Sequence, residues 1–435
     1  MKSRVTNRRR AVAAALVSVF AVALAGCGSS DSSGPATDES GSASGKGLPD
    51  TIPVTLIADV TGFAASYGNH AREGVTVAID EVNESDLLGG SKIVLTVKDT
   101  GSDATTAATL VSQATQSDAV AILGPTLSNE ALAVAPTAQR AGVPFISDGA
   151  PPGLADIGDY IFVNSPDQAA QAPLLAKQIA SEADSAVIVY ANDNPNMVSL
   201  HTALGKALED AGVKVVDNLG TPIAATDFTA LTTKAIDTGA KSVVLVGGGA
   251  MMPSIIKGLR TSGYEGKIFG NMGADGTLAS SGPEADGFEY VTQWAPSADN
   301  AESKAFMERF TKTFPDSAPS YTTMGGYEAI KLLSLALAQA QSVDHAAVRD
   351  AMAKVAEEGF DSPSGRVTFG GPTKREKHTP GLVVQVSGDD LKVVATGDEL
   401  GGVPSWNSNF SMRSCSARSF SCSPTVSRWR GERST

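Results

Sequence analysis

Apolar residues follow two different spacings along the central part of the chain. Short runs rich in Val and Ile alternate with longer segments in which apolar residues recur every three or four positions. The first spacing is typical of buried strands, and the second is typical of helices that cover a sheet. The pattern predicts strands at 52–58, 92–98, 119–123 and 144–147, and helices at about 67–84, 103–117 and 129–141.

A second set of alternating segments begins near Ile161 and predicts strands at 185–190, 214–218, 242–246 and 267–269. Gly212, Gly239 and Gly263 follow the helices between them, where a residue with positive φ ends the last helical turn. Repeated strand–helix units predict an α/β fold of two doubly wound, parallel-sheet lobes. Ligands of such sheets bind outside the carboxyl ends of the strands, so two facing lobes would enclose a cleft.

Residues 1–26 predict a signal peptide. Lys2, Arg4 and three consecutive Arg precede an uncharged, mostly apolar stretch at 11–25, which is shorter than the roughly 20 residues of a membrane-spanning helix. Small residues precede Cys27 as in a bacterial lipobox, so we expect Cys27 to carry the lipid anchor of an exported lipoprotein. The alternative is an ordinary signal peptide with a chance cysteine near its cleavage site.

Two segments that lack both spacings flank the body of the chain. Residues 27–50 are rich in Ser and Gly and predict a flexible linker behind the lipidated cysteine. Residues 403–435 are rich in Ser and Arg and predict a disordered tail, similar in character to out-of-frame translation. The alternative for the tail is a basic membrane-binding segment, because Trp406, Phe410, Phe420 and Trp429 lie among its arginines.

The charge of the body argues against nucleic acid as a partner. The formal net charge of the chain is -13, and it becomes -22 without the five basic residues of the signal and the five Arg and one Glu after Val403. Nucleic-acid phosphates and anionic lipid surfaces bind Lys and Arg. In this body Asp and Glu outnumber Lys and Arg. No cysteine occurs between 28 and 414, so the body has neither a disulfide framework nor a thiolate metal site.

Few features of the sequence indicate a catalytic site. The four histidines, at 70, 201, 345 and 378, lack metal-ligand spacing, and no GxSxG nucleophile elbow occurs. The glycines at 247–249 follow a predicted strand but lack the third glycine of a dinucleotide-binding turn, so the likeness is attributed to chance. We therefore expect a binding protein without cofactor or metal, and not a surface-tethered hydrolase.

Several segments resemble the type I periplasmic solute-binding proteins that serve branched-chain amino-acid ABC transporters. They lie at 59–68, 73–83, 124–128, 133–136 and 142–147, with weaker matches at 226–231, 327–332 and 365–369. Their order and spacing over about 52–397, rather than any single motif, make the resemblance specific. It implies lobes joined by a hinge of three crossovers, with the first lobe at 51–165 plus 297–360 and the second at 166–296 plus 361–400.

The resemblance also implies a function. Members of this family capture an amino acid, by default Leu, Ile or Val, between two closing lobes and deliver it to an ABC permease and its ATPase. For this chain it implies a monomer held by its lipid anchor on the extracytoplasmic face of the cell membrane. The alternative is a ligand-sensing receptor module of the same fold, for an amide or a small carboxylate.

The first lobe supplies most of the candidate binding residues. Ser128 precedes a predicted helix, where free backbone N–H groups favour an anion, and the family's serine in this Gly-Pro-x-x-Ser motif binds the ligand carboxylate. The alternative is that Ser128 only caps the helix. Ser147, Asp148, Gly149 and Ala150 follow a strand, where the family holds both charged ends of the ligand, although polar residues collect in such loops anyway.

Further candidates are aromatic or come from the second lobe. Tyr67 and Phe63 lie in the first strand–helix turn, where aromatic rings cover the ligand in relatives; the alternative is packing at the helix start. Asp275 occupies the segment where the family places an acidic partner of the ligand ammonium, or else it caps a short helix. Tyr327 and Asn192 complete the set, although the turn that contains Asn192 departs from the family's Tyr-Gly pattern.

Overall fold

The computed structural model describes residues 47–379, 381–388 and 390–397. The predicted signal peptide, Cys27, most of the linker and the tail at 403–435 lie outside the described residues. Within the described part of the chain, no helix combines the length and the apolar character needed to cross a membrane.

The described residues form fifteen strands and ten α-helices. The strands are β1 (Thr51–Ala58), β2 (Lys92–Asp99), β3 (Ala121–Leu123), β4 (Phe145–Ser147), β5 (Ile161–Val163), β6 (Ser185–Ala191), β7 (Lys214–Thr221), β8 (Ser242–Val246), β9 (Lys267–Gly270), β10 (Glu289–Thr292), β11 (Phe360–Ser362), β12 (Gly365–Gly370), β13 (Glu376–His378), β14 (Leu382–Ser387) and β15 (Asp390–Thr396). The helices are α1 (Ala65–Glu84), α2 (Ala104–Ala114), α3 (Ser128–Ala141), α4 (Ala172–Glu182), α5 (Pro195–Asp210), α6 (Thr229–Asp237), α7 (Met251–Thr261), α8 (Ala301–Thr313), α9 (Tyr321–Ala340) and α10 (His345–Glu358).

Local sequence explains several helix ends. Asn194 caps α5 with its side chain and Pro195 occupies the first helical position, where its missing N–H is no loss. Gly212, Gly239 and Gly263 have φ values of 80°, 66° and 82°, which confirms the predicted helix-ending role of these glycines.

The first sheet has the strand order β11-β12-β13-β5-β4-β3-β1-β2. Strands β1 to β5 pair in parallel, and the register places Leu123 between Leu56 on β1 and Ile146 on β4. These side chains are buried because helices cover both faces, which explains the nearly continuous apolar runs of the strands. Strand β12 pairs antiparallel with β11 and β13.

The second sheet has the order β15-β14-β10-β9-β8-β6-β7. Strands β6 to β10 are parallel, whereas β14 pairs antiparallel with β10 and β15. The predicted α/β class with two parallel-dominated sheets is confirmed. Both sheets are mixed, because the last five strands add antiparallel edges.

The chain crosses between the lobes three times, after β5, after β10 and after β13. The third crossover lies between β13 and β14 and not at 360/361 as the sequence predicted, so residues 361–378 belong to the first lobe. The reason is that β11 and β12 form a hairpin and β13 continues it, pairing in parallel with β5 through Glu376 and Val163.

Each lobe has its own hydrophobic core. The second lobe packs α4, α5 and α7 on its sheet, and the first packs α1, α9 and α10 on one face and α2 and α3 on the other. A smaller apolar cluster joins the lobes at their mouth: Ala64, Tyr67, Leu127 and Tyr321 of the first lobe contact Met272 of the second. The two lobes therefore touch directly beside the strand ends.

Candidate functional site

A cavity lies between the lobes, where the carboxyl ends of the parallel strands of both sheets meet. It measures about 440 Å³, including the part that opens to solvent. The first lobe lines it with Tyr67, Thr126, Leu127, Ser128, Asp148, Gly149, Ala150, Ser165 and Tyr321. The second lobe lines it with Gln168, Asn194, Asn196, Met197, Ile223, Gly247, Gly248 and Gly273.

Strand ends position most of this lining. In the first lobe β3 leads into 126–128 and β4 leads into 148–150. In the second lobe β6 leads into Asn194, and β8 leads into Gly247 and Gly248. The cavity therefore occupies the place that open parallel sheets offer to a ligand.

Ser128 is the first residue of α3 and lines the cavity. The residue before the helix is Leu127, and no side chain caps this helix end. The Ser128 hydroxyl makes no hydrogen bond to another described residue, although Ser128 is only 6% exposed. The hydroxyl and the first N–H groups of α3 are thus available to an acceptor in the cavity.

The loop after β4 is shaped by its own hydrogen bonds. Ser147 is fully buried and its Oγ donates to the Gly149 carbonyl over 2.7 Å, so Ser147 stabilises the loop without lining the cavity. Gly149 passes so close to α3 that a Cβ there would lie 2.8 Å from the Leu127 carbonyl. Only glycine allows this approach, which brings the loop alongside Ser128.

Asp148 places a carboxyl group in the cavity wall. Its Oδ1 is buried and has no hydrogen-bond partner among the described residues. Burial raises the pKa of Asp148 to about 7, an effect that the Lys377 charge opposes and the Glu328 charge increases. A cationic group in the cavity would stabilise the ionised form of this carboxyl.

Tyr67 connects the lobes across the cavity. Its Oη donates to the Gly273 carbonyl over 2.6 Å and accepts from the Gly249 N–H. A Cβ on Gly248 would lie 2.5 Å from the same Oη, so the close approach needs glycine. Gly248 and Gly249, two of the glycines whose likeness to a dinucleotide turn was attributed to chance, thus contact Tyr67.

Asp275 lies outside the cavity lining, contrary to its predicted position. Its Oδ2 accepts from the Tyr321 N–H at the start of α9 over 2.9 Å, and its Oδ1 lies 3.4 Å from the Tyr290 hydroxyl. Asp275 is 4% exposed, and burial raises its pKa to about 7. The carboxylate therefore caps a helix of the other lobe.

Three further candidates also lie outside the lining. The Tyr327 hydroxyl donates to Glu81 over 2.8 Å, and its ring packs edge-on against Phe306 in the first-lobe core. Phe63 is 41% exposed outside the cavity. Asn192 pairs through its backbone N–H with Thr221 at the end of β7.

Sequence reasoning missed the polar wall of the second lobe, which consists of the carboxamides of Gln168, Asn194 and Asn196. The strand-end rule could have found Asn194 and Asn196, because they follow β6 directly. Gln168 had no such signal, because it lies in the first crossover. Among the described residues, no group of three or more His, Cys, Asp or Glu side chains is arranged to hold a metal ion.

Known proteins share this architecture. The chain is 24% identical over 325 residues to the leucine-, isoleucine-, valine-, threonine-, and alanine-binding protein of Pseudomonas aeruginosa, covering 74% of this chain and 86% of the relative. A benzoate complex of an R. palustris solute-binding protein has a TM-score of 0.74 at 19% identity, covering 80% of this chain and 96% of that one. The isoleucine complex of a Streptococcus pneumoniae branched-chain amino acid transporter protein has a TM-score of 0.72 at 21% identity, covering 80% and 99%.

These comparisons confirm the resemblance that the motifs indicated. The two structural likenesses, both below 25% identity, establish the fold alone. The family model described as periplasmic binding protein matches residues 51–390, which is more than half of the chain. The chain therefore belongs to the periplasmic binding protein family.

Proposed function

We propose that the protein is the extracytoplasmic solute-binding component of an ABC importer and that it binds an α-amino acid without converting it. The observation that carries the proposal is a cavity lined by both lobes, with Ser128 and Asp148 both in its first-lobe wall. A ligand that contacts both lobes stabilises their closed arrangement, and a permease can recognise that arrangement.

The two charged groups of an amino acid match two groups in this wall. The ligand carboxylate would accept from the Ser128 hydroxyl and from the free N–H groups at the start of α3, where the helix dipole is positive. The ligand ammonium would donate to the Asp148 carboxylate. Branched-chain amino acids are the first class to test, because the names of the related proteins include leucine, isoleucine and valine.

The partners and location follow from the same proposal. Lipidation of Cys27 would hold a monomeric binding protein at the outer face of the membrane, within reach of a permease and its ATPase. Cys27→Ser should then move the protein from the membrane fraction to the soluble fraction and abolish labelling with a radioactive fatty acid. Fatty-acid labelling that persists in Cys27→Ser would remove Cys27 as the anchor.

Thermal shift with the proteinogenic amino acids, followed by calorimetric titration, tests the binding function. Ser128→Ala and Asp148→Asn should each weaken binding about tenfold or more, because each removes a charge-assisted hydrogen bond. Ser254→Ala, at an exposed position of α7, is the matched control and should bind normally. A response to benzoate but to no amino acid would replace the proposal with an aromatic carboxylate, the ligand class of the R. palustris protein.

A further inference from the structure

Gln168 faces the cavity with a carboxamide whose orientation is fixed by a chain of hydrogen bonds. The Gly247 N–H, which can only donate, donates to Asn271 Oδ1 over 3.0 Å. The other amide atom of Asn271 is therefore the Nδ2 donor, and it donates to Gln168 Oε1 over 2.7 Å. Gln168 has its Nε2 donor left, which has no partner among the described residues.

Asn194 is oriented in the same way by α5. Its Oδ1 accepts from the backbone N–H groups of Asn196 and Met197 over 3.1 and 3.2 Å. Its Nδ2 donor therefore remains, also without a partner among the described residues. Gln168 and Asn194 are only 5% and 7% exposed and both line the cavity, so their amide donors have little access to bulk water.

Asn196 adds a third carboxamide to this wall. It is 4% exposed, lines the cavity, and its Oδ1 is buried without a partner among the described residues. Buried N–H donors and carbonyl acceptors are normally paired, and an aliphatic group placed against these carboxamides would leave them unsatisfied. Within the described second-lobe wall, only Met197 and Ile223 offer apolar side chains beside these carboxamides.

We infer that the ligand presents an acyl oxygen to the second lobe, so that its side chain is a carboxamide or a carboxylate and not a branched hydrocarbon. This inference rests on the proposed function, in which the α-carboxylate and ammonium contact Ser128 and Asp148 in the first lobe. The side chain then extends toward Gln168 and Asn194, whose N–H groups donate to its oxygen.

Calorimetric titration of the full chain compares matched ligands. L-Asparagine and L-leucine have side chains with the same number of heavy atoms and the same branch at Cγ, and L-aspartate, L-glutamine and L-glutamate extend the series in charge and length. The best acyl ligand should bind at least about tenfold more tightly than Leu, Ile or Val, because a site built from hydrogen-bond donors rejects an isostere that cannot accept. Comparison of the amides with the acids then identifies which acyl group is bound.

Two conservative variants test the donors themselves. Gln168→Glu still accepts from Asn271, and Asn194→Asp still caps α5, but each replaces the cavity-facing N–H₂ with an oxygen. Each should weaken binding of the acyl ligand about tenfold, and should weaken it more than it weakens leucine binding. Gln113→Glu, at an exposed position of α2, is the control for the added charge and should bind normally.

The outcomes separate this inference from the proposed function. Tighter binding of Leu, Ile or Val than of every acyl ligand overturns the inference and leaves amino-acid binding in place. Unchanged acyl-ligand affinity in both folded variants, with thermal midpoints near that of the parent, also overturns it. Failure of all amino acids to bind overturns both proposals.

Discussion

At the residue scale, Asp148 is a titratable group whose burial opposes folding at neutral pH. Its pKa rises from an ordinary 3.8 to about 7 in the folded chain. The folded state therefore binds a proton more readily than the unfolded chain, and stability falls as pH rises from about 4 to about 7, then stays level. We predict that Asp148→Asn raises the thermal midpoint at pH 8 by about 2–4 °C. The difference should shrink toward pH 4, and calorimetric scans that show the same difference at every pH would contradict this account.

The same carboxyl makes ligand affinity depend on pH. A ligand ammonium favours ionised Asp148, so binding below pH 7 requires release of a proton, and the association constant should fall by up to about tenfold per pH unit. Asp275 also has a pKa raised to about 7 by burial, so the Asp148→Asn variant is needed to separate the two groups. Calorimetric titration from pH 5.5 to 8.5 should show a slope in the parent chain and a nearly flat profile in Asp148→Asn.

Sequence motifs located part of the cavity wall. They did not show which way a helical side chain points, and this explains why the candidate Tyr327 lies outside the wall. Among the predicted ligand-binding residues, Ser128, Asp148, Gly149 and Ala150 line the cavity, and each follows a strand end, a position that the apolar pattern determines. Their contact with a ligand stays a prediction. Tyr327 does not line the cavity, because a helical residue faces the cleft or the core according to the rotation of its helix. Its ring lies against Phe306 because α9 turns that face toward the first-lobe core.

At the element scale, a buried ion pair connects β13 and α9. Lys377 Nζ contacts Glu328 Oε2, and both side chains are fully buried. Glu328 also accepts from the hydroxyls of Ser362 and Ser364, so the pair ties the β11–β12 hairpin to the helix. We predict that Lys377→Met destabilises the protein by about 3–5 kcal/mol, because it leaves an uncompensated carboxylate in the core. Equilibrium unfolding in urea measures this loss.

An exposed ion pair in the second lobe is the matched control for Lys377. Lys206 and Asp210 on α5 are 2.8 Å apart, and their side chains are 75% and 64% exposed. Lys206→Met should therefore change the free energy of unfolding by less than about 1 kcal/mol. The double variant Lys377→Met, Glu328→Gln should recover much of the lost stability, since it removes the unpaired charge. An equal loss for Lys377→Met and Lys206→Met would show that burial of the Lys377 pair is unimportant.

The sequence assigned residues 361–378 to the second lobe because β11 and β13 are hard to recognise as strands of the first sheet. Strands β11 and β13 have three residues each, and β13 reads Glu-Lys-His, so neither shows the apolar run that identified the longer strands. Their place in the first sheet depends on pairing with β12 and β5, which lies far away in the sequence. The apolar pattern reports burial along a segment, whereas sheet membership depends on such distant partners.

At the scale of the whole molecule, the lobes are held together by contacts that involve no ligand. The Tyr67 hydroxyl bonds to Gly273 and Gly249, and Asp275 accepts from the Tyr321 N–H. These contacts between the lobes stabilise the closed arrangement even without a ligand. The apparent ligand affinity therefore depends on the fraction of the protein that is closed. Mutations at these contacts should act on all ligands, unlike mutations in the carboxamide wall.

Ser66 offers the cleanest test of this distinction, because its hydroxyl donates to the Gly276 carbonyl over 2.9 Å while the residue lies outside the cavity lining. We predict that Ser66→Ala weakens binding of every ligand by one common factor of about threefold to tenfold, since it removes one hydrogen bond between the lobes that their separation would break. Tyr67→Phe should act in the same direction and more strongly, because its hydroxyl makes two such bonds. Titrations with several ligands measure the factor, and small-angle scattering without ligand should show a larger radius of gyration. A loss that differs between ligands in Ser66→Ala would mean that this contact shapes the cavity and does not control closure.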